Sequence, residues 1–239
     1  QSKRGILSMK KTLFLLLLAS TQVFSPCYAA LNLELTRGVN NALPIAIVPF
    51  GGQEEDDTST KMTTIIRNDL KNSGRFSLLP ENKMPTQPHN ASAVNSSEWR
   101  QVNVDNVVVG DVTETGSSSH KINFALLDVI KNPTKTLITK PFNQVEKKDF
   151  RRLAHHISDL IYEALIGEKG PFSSHIAYIL TQHSEGSPTR YSLEIADADG
   201  YNPQSILTSS QPIMSPAWSH DARKIAYVSF ENHESQIYI

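Results

Sequence analysis

The sequence predicts an α/β domain, a mixed sheet carrying two helices, followed by the start of an all-β propeller. Three observations carry this. Short apolar strands alternate with two helical patterns from Leu31 to Gly167, the interleaving of one compact α/β or α+β domain. Beyond Gly170-Pro171 only strand and turn patterns remain. Within that region Ile176-Ala177-Tyr178-Ile179 returns as Ile225-Ala226-Tyr227-Val228, 49 positions on, and Glu194-Ile195 has a counterpart in Tyr238-Ile239, 44 positions on. An all-strand repeat of roughly 40–50 residues is the signature of propeller blades. A blade and a half cannot cover its own core, so the reading expects a chain truncated within its propeller.

The expected organisation is therefore a leader over 1–29, an α/β domain over 30–168, and one blade with part of a second over 171–239. The leader has a basic start at Met9-Lys10-Lys11, an apolar run from Leu13 to Ala19 with Val23 and Phe24, and small residues around Cys27-Tyr28-Ala29. These are the parts of a secretory signal peptide, with cleavage expected between Ala29 and Ala30. The run is well short of the ~20 residues of a spanning helix, so no membrane span is expected after cleavage.

Cleavage removes Lys3, Arg4, Lys10 and Lys11 and no acid, taking the formal charge from −1 to −5. A mildly acidic chain argues against nucleic acid as a partner. The single cysteine, Cys27, leaves with the leader, so packing must supply the stability of an exported chain without disulfides. The sequons at Asn90-Ala91-Ser92 and Asn95-Ser96-Ser97 are glycan acceptors only in a eukaryotic secretory pathway; in a bacterial periplasm they are idle.

In the first domain Leu31, Leu33 and Leu35 alternate with polar residues, the period of a half-buried strand. Pro44 to Phe50, PIAIVPF, is a continuous apolar run that suits a strand buried on both faces. Thr58 or Ser59 is placed to cap a helix in which Met62, Ile65, Ile66 and Leu70 share a face and which Asn72-Ser73-Gly74 stops. Strands follow at Arg75 to Leu79, Asn106 to Val112 and Lys121 to Ile130, the last two as a hairpin, with a Pro- and Asn-rich loop from Pro80 to Ser97. The second helix, Lys148 to Ile166, spaces Phe150, Leu153, Ala154, Ile157, Leu160, Ile161 and Ala164 along one face, and Gly167 stands at its left-handed cap.

The blade segment from Ser210 to Ser219, SQPIMSPAWS, with Lys224 to Glu231, KIAYVSFE, resembles the propeller repeat of the TolB family of the Tol-Pal system. The likeness extends through PIAIVPF, Asp69-Leu70 with Asn72-Ser73-Gly74-Arg75-Phe76, VVVGDV and the turn Asp197-Ala198-Asp199-Gly200-Tyr201-Asn202, in the order that family uses. One departure is His220-Asp221-Ala222 where the repeat has Pro-Asp-Gly, which is expected to shift that turn, because Ala222 tolerates positive φ less well than Gly.

The resemblance implies a periplasmic binding protein and no enzyme. It implies that the propeller docks the peptidoglycan-associated lipoprotein Pal, that the mature N-terminal segment engages TolA, and that other outer-membrane proteins join them. Outer-membrane integrity and constriction at division are the processes implied. The matching segment is Ala30, Leu31, Asn32, Leu33, Glu34, Leu35, Thr36 and Arg37; no Pal-facing residue is carried over. An alternating strand at a free chain end suits addition to the edge of another sheet, and suits equally an edge strand of its own domain.

No catalytic, cofactor or metal site is expected. The chain has no Gly-x-Ser-x-Gly elbow and no Gly-rich phosphate loop with a following Lys. His233-Glu234 has Ile at 237 where a zinc-protease helix needs its second His. His155 and His156, about 100° apart on a helix, are wrong for a shared metal and read as partly exposed surface residues. Asp197-Ala198-Asp199-Gly200 lacks the later calcium ligands and reads as a hairpin turn. The acidic run from Glu54 to Asp57 and the basic patch Lys147, Lys148, Arg151 and Arg152 read as solvated faces. The rival class is an exported serine peptidase whose propeller gates a hydrolase domain further along.

Overall fold

The computed structural model describes residues 42–52, 57–116 and 119–239. The expected leader, its cleavage site, the strand over 31–35 and the segment 30–37 lie outside the described residues, as do 54–56 of the acidic run.

The first domain is a five-stranded mixed sheet in the order β2-β1-β3-β4-β5. Its strands are β1 (Leu43–Ile47), β2 (Phe76–Leu78), β3 (Asn106–Glu114), β4 (Ser119–Asp128) and β5 (Lys135–Glu146). β1 runs parallel to both β2 and β3, while β3, β4 and β5 form an antiparallel meander. Helix α1 (Thr58–Asn72) links β1 to β2, a short α2 (Ser96–Gln101) precedes β3, and α3 (Phe150–Ile166) follows β5.

The apolar run at β1 is buried on both faces, as its composition predicts. Ile45 and Ile47 join Met62, Ile66 and Leu70 of α1 and Ala154, Ile157 and Ile161 of α3 on one side. Ala46 and Val48 join Trp99 of α2, Val107, Val109 and Leu127 on the other. The alternation of side chains along a strand makes the two layers. Both predicted helices form. α3 starts at Phe150 after a 3-10 turn at Lys147–Asp149, and Gly167 caps it at φ 85°, the left-handed conformation glycine adopts without a Cβ penalty. Helix α1 is preceded by Asp57, and neither Thr58 nor Ser59 is its cap residue.

Two elements escaped the periodicity. β5 is a twelve-residue edge strand whose side chains are mostly exposed, with Lys135, Lys140 and Pro141 along it, and the residues it packs on the core, Leu137, Ile138, Phe142 and Val145, follow no regular alternation to read. Edges are commonly blunted by such residues. The second is α2, within and just beyond the expected loop. Asn90 and Asn95, the two sequon asparagines, each accept a backbone N–H at the start of a helical turn. They are local caps.

The propeller start comprises two antiparallel sheets, β6-β7-β8 and β9-β10-β11. Their strands are β6 (His175–Gln182), β7 (Arg190–Asp197), β8 (Gln204–Ser209), β9 (Ile213–Trp218), β10 (Ile225–Ser229) and β11 (Gln236–Tyr238). The repeated Ile-Ala-Tyr motif falls on β6 and β10. Its tyrosines make corresponding cross-strand pairs: Tyr178 donates to Glu194 on β7 at 2.9 Å, and Tyr227 stacks on Tyr238 of β11 at 5.7 Å. The fold is thus the expected one. Among the described residues, no helix is long and apolar enough to cross a membrane.

Candidate functional site at the junction of helix and blade

A group of charged side chains gathers where α3 meets the turn between β7 and β8. Arg151 and His155 stand four residues apart on α3, hence on one face of it. Asp197 ends β7, and Asp199 lies in the turn beyond it, where Gly200 takes φ 82° and the Asp199 side chain accepts the Tyr201 N–H at 3.1 Å. The expected hairpin turn is therefore present. The structure adds that it is anchored to the first domain.

Arg151 makes the anchor. Its Nε lies 3.4 Å from Asp197 Oδ2, its Nη2 donates to Asp199 Oδ2, and its guanidinium lies over the Tyr201 ring at 3.8 Å. Burial would raise the Asp199 carboxyl, but the hydrogen bond from Arg151, the Tyr201 N–H and the charges of Arg151 and His155 outweigh it and hold the group below the ordinary carboxylate range. Reading Arg151 as part of a solvated basic face is corrected here. Lys148 and Arg152 do lie at the surface, paired with Glu146 at 2.7 Å and Asp149 at 2.9 Å.

His155 overturns a second expectation. It is 3% exposed, not a surface histidine, and its Nδ1 lies 2.9 Å from Asp69 Oδ2 on α1, a carboxylate that is itself 5% exposed. The other nitrogen, Nε2, is buried without a hydrogen-bond partner among the described residues and points toward Asp199 Oδ2, 3.8 Å away. Burial lowers the tendency of this imidazole to hold a proton. The hydrogen bond and charge of Asp69, with the charge of Asp199, overcome burial and the opposing Arg151, so the pKa is raised. A signal for this pair was present in the sequence: Asp69 sits between Ile66 and Leu70 on the apolar face of α1, and His155 sits between Ala154 and Ile157 on that of α3. A polar residue on each of two packed apolar faces must find a partner.

The connection from α3 into the blade is held by a third carboxylate. Asp159 accepts the N–H groups of Phe172 at 2.9 Å and Ser173 at 3.1 Å, while the Phe172 ring joins the core beneath α3. Gly170 passes so close that a Cβ there would lie 2.4 Å from Asp159 Oδ1. A cleft of about 250 Å³ opens over the junction, lined by Arg151, His155, His175, Asp197 and Tyr201 among others.

Among the described residues, the other sequence candidates gather no site. His156 packs edge-on to Phe142 at 6.0 Å. His233 lies in the turn between β10 and β11 at φ 64°, on no helix. Asp57, the described member of the acidic run, pairs with Lys61 at 2.8 Å on the surface.

Comparison with known proteins places these elements. The family model described as the TolB amino-terminal domain matches residues 31–134, and that of the TolB beta propeller domain matches residues 162–239. A Tol-Pal system protein TolB from Coxiella burnetii is 44% identical over 229 residues, covering 93% of this chain and 51% of the relative. One from Nitrosococcus oceani is 42% identical, covering 89% of this chain and 48% of the relative. The chain thus spans about half the length of the curated relatives it matches. The crystal structure of TolB from Acinetobacter baumannii superposes with a TM-score of 0.70 at 36% identity, covering 82% of this chain and 46% of that one. With both family models matched in order and the α/β sheet leading into propeller strands as they require, the chain belongs to the TolB family.

Proposed function

We propose that the chain serves as a non-enzymatic periplasmic adaptor of the Tol-Pal system, exported by a signal peptide cleaved between Ala29 and Ala30, with an N-terminal domain over 30–168 and propeller over 171–239. The observation that carries this is the joint match of both TolB models to one chain whose relatives are named Tol-Pal system protein TolB. In this reading the adaptor links TolA to the Pal lipoprotein, maintains outer-membrane integrity and supports envelope constriction at division.

The segment Ala30, Leu31, Asn32, Leu33, Glu34, Leu35, Thr36 and Arg37 is the TolA-binding element. Its leucines alternate with polar residues, so an added strand gains backbone hydrogen bonds for affinity and places alternate side chains for specificity. The segment is either docked on its own protein or released to TolA, and a ligand at the propeller biases the choice. Deleting 30–37 is expected to abolish TolA binding in calorimetric titration while the circular dichroism of the α/β domain is retained. Unchanged TolA affinity in a folded deletion variant would sink the assignment.

A further inference from the structure

The junction carries chemistry that partner binding does not use. His155 presents a buried nitrogen, Nε2, with no hydrogen-bond partner among the described residues. One ligand atom each from His155, Asp197 and Asp199 lies within 4.8 Å of the others. Behind the imidazole, Asp69 lies 2.9 Å from Nδ1. In the neutral tautomer that donates Nδ1–H to Asp69, the free lone pair is on Nε2 and faces the two carboxylates. A carboxylate holding the far side of a ligating imidazole is the usual support of a protein-bound metal, because it fixes the ring and raises its basicity.

We infer that His155, Asp197 and Asp199 form a binding site for a divalent transition metal, zinc being the ion best suited to one imidazole nitrogen and two carboxylate oxygens. The calcium-loop and paired-histidine patterns both fail in the sequence because the ligands come from a helix and from a distant hairpin turn. His175, whose Nε2 is 3.6 Å from Asp197 Oδ1 at the rim of the same cleft, is the nearest candidate for a fourth ligand. Arg151 competes for the site, since its guanidinium now bridges Asp197 and Asp199. Metal entry requires that fork to release the carboxylates. The ion would then join α3 to the first blade by coordinate bonds in place of an ion pair.

The test is titration of the chain, tag-free and stripped of metal, with zinc chloride in a non-coordinating buffer. Calcium chloride is run beside it, and cobalt(II) chloride serves as a spectroscopic probe. One zinc equivalent should bind, calcium should not compete, and cobalt should develop the strong visible absorption of a low-coordinate site. His155→Gln and Asp199→Asn should each lose at least ten-fold in zinc affinity, Asp69→Asn about ten- to hundred-fold, and Arg151→Gln should bind more tightly than the parent. Asp199 lies in an exposed turn, so its variant decides the question should the buried His155→Gln fail to fold. Absence of saturable zinc binding, or one-equivalent binding that survives Asp199→Asn in a folded protein, overturns the site. The result does not depend on TolA or Pal binding, so the two readings fail separately.

Discussion

The two regions of this chain bury their apolar residues in opposite ways. In the α/β domain the sheet is covered on both faces, and Ile45, Ala46, Ile47, Val107, Val108, Ile157 and Ile161 are fully buried. In the propeller strands the buried apolar residues among those described are Leu193, Ala196 and Ile213, whereas Ile206, Met214 and Trp218 remain exposed. A five-stranded sheet with helices on one face and α2 with its loop on the other makes a core by itself. Blades make theirs between neighbours. The difference teaches that cooperativity is internal to the first region and shared between repeats in the second.

The sharpest way to break this contrast is to open a cavity in the α/β core. Ile157→Ala, on α3 against the sheet, is expected to cost about 2–5 kcal/mol, while Ile237→Ala, at 75% exposure, should stay within about 0.5 kcal/mol. Urea melts followed by far-ultraviolet circular dichroism measure both. Comparable losses would mean that the blade strands are part of the same cooperative core.

Overpacking is the next largest effect. Gly110 on β3 lies against Phe50, and an added Cβ would come within 2.6 Å of that ring and 2.8 Å of the Asn123 carbonyl. Gly110→Ala should therefore destabilise by about 1–3 kcal/mol, read as a lower urea midpoint. A neutral result would show that Phe50 swings aside freely.

A loss of similar size tests how the regions are joined. Asp159→Ala removes the acceptor of the Phe172 and Ser173 N–H groups and should cost about 1–3 kcal/mol. Faster amide exchange confined to 170–175 would sharpen the comparison, by showing that the connection opens without either sheet. Exchange that instead accelerates throughout β6 to β8 would show the first blade depending on this link.

The smallest predicted change is a gain. Ala222 has φ 54° in the turn between β9 and β10, where Ser219 Oγ donates to Asp221 and accepts the Lys224 N–H. Left-handed backbone costs a non-glycine residue about 1–2 kcal/mol, partly offset by the entropy glycine loses on folding. Ala222→Gly should raise stability by about 0.5–1 kcal/mol, measured as a shift in thermal midpoint.

Much of the fold was legible because burial leaves a pattern in the chain. The two-sided burial of β1 follows from five apolar residues between Pro44 and Phe50, α3 from the three- and four-residue spacing of its apolar face with Gly167 beyond it, and the blades from the recurrence of Ile-Ala-Tyr at β6 and β10. β5 was not legible, since an exposed edge strand carries no apolar alternation. Nor was α2, six residues long and started by a single asparagine cap, Asn95.

The junction divides along the same line. Sequence determined that Asp197 to Gly200 would turn and that α3 would be amphipathic, because both depend on residues close together in the chain. Only tertiary structure decided that Arg151, outwardly one of four cations on a basic helix face, would reach Asp197 and Asp199 forty-six and forty-eight residues away. It also decided that His155 would be buried against Asp69, eighty-six residues distant. Periodicity reports which face of an element is buried. It does not report which partner awaits a charge on that face, because that depends on how separate elements meet.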